Sequence, residues 1–501
     1  MRRYISIRVV HGFLWALAGV ALLSCLWVLI QGPTTLPVLK FTVLKFSVAI
    51  SLRLDALSTI LFIMIALLSA AIARFAIRYL DGEQRQWFFY RNLLLTVVAV
   101  CFFVLSSNLL MLFGAWLLTS FGLHRLLMYY PDRPEAVNAA RKKAIISRFG
   151  DLVLIAGIAL VYRTFGTLEF ERIFALYESW PDYRQTSLVM ELTVILFVVG
   201  ALIKSAQFPF HFWLPDTMAT PTPVSALMHA GIINAGGFLM IRLSPLLQEV
   251  HGGPVMLILA GSVTSVYGAL SMITQSNIKK KLGYSTISQM GMMLFACGLG
   301  AYSIALFHIF AHSFYKAHAF LSTGGLVEEA RKTGFKLVPL SFFGLLLAVL
   351  GSAALVYGAV EFKSGEYFSL FIYATVLWMG LVQNSGRSLV DDYSRFRVWS
   401  VILVLMAAAL ALYGVVEFYL GQYLEGLTPA LRRPDLDSPF AITAFASVGL
   451  FLLGLLLTRT LQSGSPFARR LYILLLNGGY FSAMSDRWLE KNTPMISRGG
   501  Q

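Results

Sequence analysis

Long apolar segments alternate with short polar loops along the whole chain. Each segment holds about 18–25 mostly apolar residues, which is the length that a helix needs to cross a bilayer. About fourteen such segments are present, at 10-31, 56-78, 88-106, 108-128, 149-165, 188-213, 222-246, 254-275, 283-299, 301-326, 337-359, 367-385, 399-420 and 440-459. The pattern predicts an all-α polytopic membrane protein with about 14 transmembrane helices.

Three regions depart from this pattern. Residues 32-55 alternate loosely between apolar and polar positions, which predicts a short β-hairpin at the outer surface. The polar segment 421-439 is predicted to be a loop. Residues 466-496 are too polar to span the membrane, and we expect an interfacial or partner-docking element there.

Composition agrees with a membrane protein and indicates its orientation. The chain is 57% hydrophobic and 13% charged, whereas a soluble protein carries about 25% charged residues. Basic residues collect in cytoplasmic loops, and here they recur in every second loop, on the side of the N-terminus. These loops carry Arg74, Arg78 and Arg85; Arg133, Arg141, Lys142, Lys143 and Arg148; Lys279, Lys280 and Lys281; Arg331, Lys332 and Lys336; Arg387, Arg395 and Arg397; and Arg459, Arg469 and Arg470. Both termini are therefore predicted to be cytoplasmic, and the net charge of +15 reflects topology rather than nucleic-acid binding.

Lys204 is a charged residue inside the apolar segment 188-213. An ionised side chain at mid-bilayer costs about 2.5–3.5 kcal/mol on insertion scales, so such residues usually line an ion path. Four prolines follow, at positions 209, 215, 221 and 223, and proline breaks a helix. Backbone freed in this way must face protein or a water-filled cavity. The segment predicts an interrupted helix with a titratable amine beside it; the alternative is a lysine that extends to the membrane surface.

His308, His312 and Lys316 recur at intervals of four residues in the segment 301-326. This spacing places the three side chains within an arc of about 80° on one helix face. Three titratable groups on one stripe predict a proton relay. A pair of core histidines would show the same spacing, and a metal site would need a further ligand that this stripe does not offer.

Asp151 lies close to Arg148 at the start of the segment 149-165. Two interpretations are equally open. The carboxylate can complement the dipole at a helix N-terminus and pair with Arg148, or it can serve as the counter-ion of Lys204.

The rest of the sequence offers no chemistry of its own. Cys25, Cys101 and Cys297 stand singly in apolar segments, without the spacing of disulfides or metal ligands. The sequence contains no catalytic constellation, so we expect a transport or energy-coupling role rather than an enzyme. We expect this chain to bind no cofactor and no metal.

Three long motifs, at 204-229, 277-291 and 308-317, resemble one family. They are similar to the proton-translocating, antiporter-like subunits of respiratory complex I (NuoL type) and of Mrp antiporters, over roughly 100-330. The resemblance implies two inverted five-helix repeats, each with an interrupted helix and a buried lysine. It also implies that six residues lie on a proton path: Lys204, Lys316, Asp151, His229, His308 and His312.

The same resemblance divides the chain into three parts. Residues 1-100 would hold the N-terminal transmembrane helices and the outer hairpin, and residues 101-420 the antiporter-like domain. Residues 421-501 would form a C-terminal helix and an interfacial tail. The two repeats of the central domain are expected at about 108-246 and 254-420.

Two positions depart from the pattern of the family. Leu117 follows an Ala-Trp pair where the family usually carries a glutamate, so Asp151 becomes the expected counter-ion of Lys204. In the second repeat, Lys363 lies in the run 361-366, which has no proline nearby. The lysine of the family normally lies at a helix break that is rich in glycine and proline.

The length of the chain, its degenerate second half and its tail at 477-487 resemble the DabB family more closely. These proteins are membrane subunits of complexes that accumulate inorganic carbon, as CO2 or bicarbonate. The resemblance implies a hetero-oligomer with a large zinc subunit of the DabA type, in which the zinc of a carbonic-anhydrase-like site belongs to that partner. It further implies a multi-pass protein of the bacterial cell inner membrane.

Three functions remain open at this point. The chain could conduct a cation, H+ or Na+ with H+ favoured, and so energise inorganic-carbon uptake. It could instead be a proton-pumping subunit of a complex I or Mrp type assembly. It could also be an assembly scaffold that no longer conducts. Leu117 and the featureless stretch 341-428 favour the first or the third function.

Overall fold

The computed structural model describes residues 2–43, 46–180, 188–247, 250–324, 342–361, 365–388 and 434–492, with scattered positions between 404 and 428. Within these ranges the chain is helical apart from turns and one two-stranded sheet. Eight helices in this part of the chain are long and apolar enough to cross a membrane. The predicted fold class, an all-α polytopic membrane protein, is confirmed.

The described residues of the first half form ten helices and the two strands. They are α1 (Arg2–Gln31), β1 (Thr34–Val43), β2 (Phe46–Leu54), α2 (Ala56–Tyr79), α3 (Gln86–Val104), α4 (Leu109–Leu127), α5 (Pro134–Phe165), α6 (Phe170–Glu178), α7 (Leu188–Lys204), α8 (Trp213–Asp216), α9 (Thr222–Ala230) and α10 (Ala235–Arg242). Short 3-10 turns at Thr217–Ala219 and Ile232–Asn234 precede α9 and α10.

The second half continues with helices. They are α11 (Ser244–Leu247), α12 (Gly252–Thr274), α13 (Ile278–Gly298), α14 (Tyr302–Leu321), α15 (Phe342–Glu361), α16 (Gly365–Ser388), α17 (Pro439–Thr460), α18 (Pro466–Leu476) and α19 (Phe481–Asn492). Every predicted apolar segment except 399-420 overlaps a described helix, and 399-420 lies mostly outside the described residues. The run around Lys363 also lies outside them.

The predicted hairpin is present, because β1 and β2 pair in antiparallel register. Leu52 of β2 forms an isolated bridge with Ser106, just before α4. A second bridge joins Asn108 to Glu169, just after α5. These contacts bring the start of α2, the start of α4 and the end of α5 to one end of the bundle. We call this end the hairpin face.

A buried ion cluster holds α2 to α10 at the hairpin face. Asp55 accepts a hydrogen bond of 2.9 Å from the Ser58 backbone and so caps α2. Arg242 donates to both oxygens of the same carboxylate, and Arg53 donates to one of them at 2.7 Å. Burial alone would raise the pKa of the Asp55 carboxyl, but the two guanidinium groups lower that pKa below its ordinary value. The carboxylate therefore stays ionised and keeps its partners.

Four glycines, two on each helix, set the distance between α12 and α13. A Cβ atom at Gly261 would lie 2.6 Å from the Phe295 backbone nitrogen, and one at Gly291 would lie 2.6 Å from the Ser265 nitrogen. Only glycine lets the two backbones approach this closely. Small residues serve the same purpose at many interfaces between transmembrane helices, where packing rather than the hydrophobic effect drives association.

The C-terminal helices α18 and α19 lie at the opposite end of the bundle, which we call the tail face. The Tyr472 hydroxyl donates to the carbonyl of Thr274, at the end of α12, at 3.3 Å. The Gln275 side chain donates to the carbonyl of Leu476 at 3.2 Å. The tail that the sequence predicts to be interfacial or partner-docking thus packs against its own bundle through part of its surface.

Helix α5 is much longer than the predicted segment 149-165, because it begins at Pro134. Lys142 and Lys143, which the sequence places in a cytoplasmic loop, therefore lie inside a helix and are buried. The prediction of a loop there was wrong. A run of charged residues usually indicates a solvated loop. Here, however, both ammonium groups donate hydrogen bonds to oxygen atoms of the protein.

Candidate functional site

Lys204 is the last residue of α7, and the chain turns sharply after it. Ser205 donates its backbone N–H to Ala201, and Gln207 donates to Leu202, each at 2.9 Å. Ala206 between them adopts a φ of 50°. The predicted interruption is confirmed, but the helix ends before Pro209, whose ring disfavours helical geometry in the residue ahead of it.

The Lys204 side chain points into the bundle and is 8% exposed. Its ammonium donates to the Ser120 hydroxyl at 2.6 Å and to the Trp116 carbonyl at 3.4 Å. It also lies 4.2 Å from the centre of the Trp116 ring, in a cation–π contact. A lysine that extends to the membrane surface does not fit this geometry.

Asp151 lies in the middle of α5 rather than at a helix end, so the interpretation as a helix-terminal carboxylate was wrong. One oxygen accepts a hydrogen bond of 2.9 Å from the Trp116 indole N–H. The other lies 3.1 Å from the guanidinium of Arg148, whose side chain is 60% exposed. Within the described residues, no ion pair joins Asp151 directly to Lys204. Trp116 lies between the carboxylate and the ammonium and contacts both.

Sequence reasoning missed Ser120 and the role of Trp116. The pair was detectable, because residues 116 and 120 are one turn apart and therefore share a face of α4. Leu117, where the sequence departs from the family, has an apolar side chain that is partly buried against the core.

Lys143 is a further buried residue that the sequence analysis did not select. Its side chain is 3% exposed, and its ammonium donates to the Ser120 backbone carbonyl at 2.9 Å. A cavity of about 20 Å³, with room for about one water molecule, is lined by Lys143, Lys204 and Trp213, among other residues. The spacing of Lys143 and Asp151, eight residues apart on one helix, is the signal that could have revealed it.

The second lysine, Lys316, is completely buried on α14. Its ammonium donates to the Leu282 carbonyl at 3.4 Å. His308 and His312 precede it on the same helix, with parallel rings whose centres are 6.1 Å apart. The predicted stripe on one helix face is therefore present. Its role as a proton relay remains a prediction.

His229 joins this group from α9. Its ring stacks on Phe320 of α14, with the ring centres 4.5 Å apart, and it is completely buried. Neither ring nitrogen of His229 has a hydrogen-bond partner among the described residues, and the same holds for Nε2 of His308 and of His312. Buried polar atoms are costly to leave unpaired, so these nitrogens are positions at which a hydrogen-bonding partner would be stabilised.

Asn234 links the two groups of residues. It lies in the 3-10 turn between α9 and α10, and its side chain donates to the Ser313 hydroxyl at 2.8 Å. A second cavity, also of about 20 Å³ and mostly apolar, is lined by Lys204 and Asn234, together with Ile309 of α14. The six predicted residues therefore fall into two clusters, Asp151 with Lys204 and the three histidines with Lys316. The cavity and Asn234 lie between them.

Lys142 forms a separate cluster at the tail face. Its ammonium binds Asp216 at 2.6 Å and Asp486 at 2.7 Å, and it also donates to the Ser482 hydroxyl at 2.8 Å. Asp216 ends the segment that follows Lys204, whereas Ser482 and Asp486 belong to α19. Phe481 packs edge-on against Phe208 in the same segment, at 5.3 Å. The tail therefore contacts the interruption at both of its ends.

Two family models match the sequence. Residues 106–358, just over half of the chain, match the model described as NADH:quinone oxidoreductase/Mrp antiporter, TM. Residues 41–90 match the N-terminus of chain 5 of NADH-ubiquinone oxidoreductase, of complex I. The first match includes nearly all of the region in which the motifs resemble this family.

Solved structures share the fold. The Mrp complex from Dietzia sp. DQ12-45-1b contains a chain with a TM-score of 0.59 and 20% identity, covering 98% of this chain and 61% of that one. The membrane-bound sulfane sulfur reductase, an archaeal respiratory complex, gives a TM-score of 0.58 and 19% identity, covering 96% and 93%. At this identity the likeness establishes the antiporter-like fold alone.

Sequence relatives indicate the family. A probable inorganic carbon transporter subunit DabB2 from Halothiobacillus neapolitanus is 36% identical over 455 residues, 88% of this chain and 80% of that protein. A probable DabB subunit from Hydrogenovibrio crunogenus is 37% identical over 310 residues, 61% of this chain and 59% of that protein. Chain 5 of NADH-ubiquinone oxidoreductase from Chondrus crispus is 33% identical over 369 residues, covering 71% and 54%. This chain therefore belongs to the DabB family of membrane subunits, within the antiporter-like proteins of complex I and Mrp.

Proposed function

We propose that this chain conducts cations, with H+ as the first candidate, and thereby energises inorganic-carbon uptake by a complex of which it is a subunit. The proposal is carried by one observation, the burial of Lys204 and Lys316 inside the bundle with Asn234 and a cavity between them. Relatives that are described as inorganic carbon transporter subunits support the substrate class. The match to the Mrp antiporter family supports ion conduction.

Lys204 takes up and releases the transported proton in this proposal. Its contacts with the Ser120 hydroxyl and the Trp116 ring favour the charged form of the amine. The Asp151 carboxylate, which Trp116 holds nearby, adds to that preference. Burial acts in the opposite direction, since an ammonium group is poorly solvated inside a bundle. Movement of Trp116 or Asp151 away from the amine would shift this balance towards the neutral form and so release the proton.

The proposed route of the released proton leads towards α14. Asn234 borders the cavity that contains Lys204, and it is hydrogen-bonded to Ser313. His312 precedes Ser313 on α14, and Lys316 follows one turn later. A neutral imidazole accepts a proton at one nitrogen and releases one from the other, so His312 can pass a proton on to the Lys316 amine.

The carbon chemistry belongs to a partner in this proposal. We propose a hetero-oligomer with a large zinc subunit of the DabA type, in the bacterial cell inner membrane, with both termini of this chain cytoplasmic. The distribution of basic loops supports the orientation. Each cation that crosses down the membrane potential releases about 2.3 kcal/mol per 100 mV. This free energy is available to make uptake of CO2 or bicarbonate unidirectional.

A proton-pumping subunit of a complex I or Mrp type assembly is the second candidate. The family match over residues 106–358 favours it. Copurification from native membranes separates the two candidates. A large zinc protein as the main copurifying subunit supports inorganic-carbon uptake, whereas a set of other antiporter-like subunits supports proton pumping in a respiratory or Mrp assembly.

The central experiment measures ion flux through the purified complex in liposomes. A potential is imposed, and H+ entry is followed with an internal pH dye. We expect Lys204→Ala to abolish H+ flux and carbon uptake while the complex still assembles, because the variant lacks the titratable amine. Repeating the measurement with a Na+ gradient at equal pH on both sides distinguishes the two cations.

Lys280→Ala is the matched control. Lys280 is an exposed lysine in the first turn of α13, so its loss removes the same charge without touching the buried cluster. Full H+ flux in an assembled Lys204→Ala complex would contradict the proposal and support the scaffold function.

A further inference from the structure

Lys143 and Lys204 bind two oxygen atoms of the same residue. The Lys143 ammonium donates to the Ser120 carbonyl at 2.9 Å, and the Lys204 ammonium donates to the Ser120 hydroxyl at 2.6 Å. Both side chains are buried, with 3% and 8% of their surface exposed. Lys143 therefore shares Ser120 with Lys204, although it is not among the six residues that the family resemblance places on a proton path.

The charges around this pair favour one proton rather than two. Two ammonium groups separated by a single residue repel each other strongly at the low dielectric of a protein interior. The carboxylate that faces them is Asp151, and it is already engaged by Arg148 and Trp116. His124 approaches Lys143 from α4 and adds no negative charge. A proton bound by one lysine therefore favours release of the proton from the other.

A small cavity beside the pair has room for about one water molecule. The cavity, of about 20 Å³, lies between α4, α5 and α7 and is lined by both lysines and by Ser147, Gly150 and Trp213. A lysine side chain is flexible, so its amine can change position without any movement of the backbone. A water molecule in this cavity can bridge the two amines.

Lys143 also lies on the tail-face side of Lys204. Helix α5 starts at Pro134 on that face, and Lys143 precedes Asp151 by two turns. The adjacent Lys142 reaches Asp216 and Asp486, and the Asp486 side chain is 40% exposed. Polar groups thus extend from the surface at the tail face to the residue that precedes Lys143.

We propose that Lys143 is a further proton-carrying residue, which exchanges protons with Lys204 across Ser120 and connects Lys204 to the tail face. The inference rests on the proposed function, in which Lys204 carries protons. A proton that leaves the Lys143 ammonium and binds the Lys204 amine leaves a neutral amine at position 143. That amine takes its next proton from water at the tail face, and no other bond changes.

The test compares Lys143→Met and Lys143→Arg in the complete complex in liposomes. Met removes the amine and keeps the length of the side chain. Arg keeps the positive charge and the hydrogen-bond donors but does not release its proton in a protein. We expect each variant to lower H+ flux by roughly tenfold or more, as loss of a positioned proton carrier does. Lys280→Met and Lys280→Arg are the matched controls at an exposed lysine, with wild-type flux expected.

Two results would overturn the inference. Wild-type flux in Lys143→Met would show that the amine is not needed, and recovery of flux in Lys143→Arg would show that position 143 contributes only a charge. If the Lys143 variants fail to assemble, Lys143→Gln provides the test, because its amide can still donate to the Ser120 carbonyl but carries no exchangeable charge. Wild-type flux in Lys143→Gln would equally contradict the exchange.

The outcome for Lys204 separates this inference from the proposed function. An inactive Lys204→Ala variant beside a fully active Lys143→Met variant means that the inference alone is wrong. A fully active Lys204→Ala variant means that the proposed function itself has failed.

Discussion

The indole N–H of Trp116 donates a hydrogen bond of 2.9 Å to the buried carboxylate of Asp151. The ring and the carbonyl of the same tryptophan contact the Lys204 ammonium. One residue thus holds an anion and a cation that form no direct ion pair within the described part of the chain. We infer that a change in the charge of Lys204 alters the hydrogen bond between Trp116 and Asp151.

Trp116→Phe tests this relationship, because phenylalanine keeps an aromatic ring beside Lys204 but lacks the indole N–H. The Asp151 oxygen then loses its donor, at a cost of about 1–3 kcal/mol for a buried acceptor. We expect H+ flux to fall several-fold and the thermal midpoint of the complex to drop. Flux in liposomes and a thermal melt measure the two effects.

Trp378→Phe is the matched control for Trp116→Phe. Trp378 donates its indole N–H to the Leu347 carbonyl at 3.1 Å, away from the buried lysines. We expect this variant to lose stability but to keep its flux. An equal loss of flux in both variants would mean that Trp116 acts only through stability.

Asp151→Asn removes the negative charge and leaves an amide of nearly the same size. With that charge gone, the positive form of Lys204 loses part of its stabilisation. We therefore expect the pH at which flux is half-maximal to move in Asp151→Asn. The measurement is H+ flux across a series of pH values, with equal pH on both sides and an imposed potential. An unchanged pH profile would reduce Asp151 to a structural partner of Arg148 and Trp116.

The sequence predicts the elements of this fold well because the membrane imposes a strong pattern. A helix must satisfy its backbone internally, so long apolar segments become helices with little ambiguity. The hairpin and the interruption at Lys204 followed from local signals in the same way. The start of α5 was not predicted, because the run Ala-Ala-Arg-Lys-Lys-Ala carries charges that usually indicate a solvated loop.

From the sequence, site residues could be predicted only where a titratable side chain lies within an apolar segment. Lys204, His229, His308, His312 and Lys316 are buried or half-buried within two neighbouring clusters of the bundle. The sequence did not predict the neutral residues that contact or connect these groups, which are Trp116, Ser120 and Asn234. A serine or an asparagine in a helix has many ordinary roles, and only the folded arrangement shows that Asn234 of one segment bonds to Ser313 of another.

Asn234→Leu tests the connection between the two clusters. Leucine has nearly the shape of asparagine without its hydrogen-bonding atoms, so the bond to the Ser313 hydroxyl is lost together with the amide group that borders the cavity. We expect H+ flux to fall by at least about tenfold, because general acid–base connections typically contribute that much or more. Flux in liposomes is the readout, with assembly checked by size-exclusion chromatography.

Asn92→Leu is the matched control for Asn234→Leu. Asn92 is similarly buried, but its side chain donates to the Phe88 carbonyl one turn away in its own helix. We expect this variant to conduct normally. Normal flux in Asn234→Leu as well would mean that protons pass between the clusters by another route, or do not pass at all.

Lys142 and Asp486 form one of the contacts that hold α19 against the bundle. The pair is 2.7 Å apart, the lysine is buried, and the aspartate side chain is 40% exposed. Because the aspartate is partly solvated, we expect a coupling of only about 1 kcal/mol in a double-mutant cycle of Lys142→Met and Asp486→Asn. Lys142→Met should cost more alone, since Lys142 also binds Asp216 and Ser482.

Trypsin reports whether that contact keeps the tail in place. Arg487 follows Asp486 directly in α19, and cleavage there requires the helix to leave the bundle and unfold locally. We expect Asp486→Asn to be cleaved in α19 several-fold faster than the wild type, with Asp437→Asn, at an exposed aspartate before α17, as the control. Equal cleavage rates in all three proteins would mean that other contacts hold the tail without the ion pair, namely the aromatic contact of Phe481 with Phe208 and the hydrogen bond from Ser482 to Asp216. In that case the tail would still restrain the interruption after Lys204 at both of its ends.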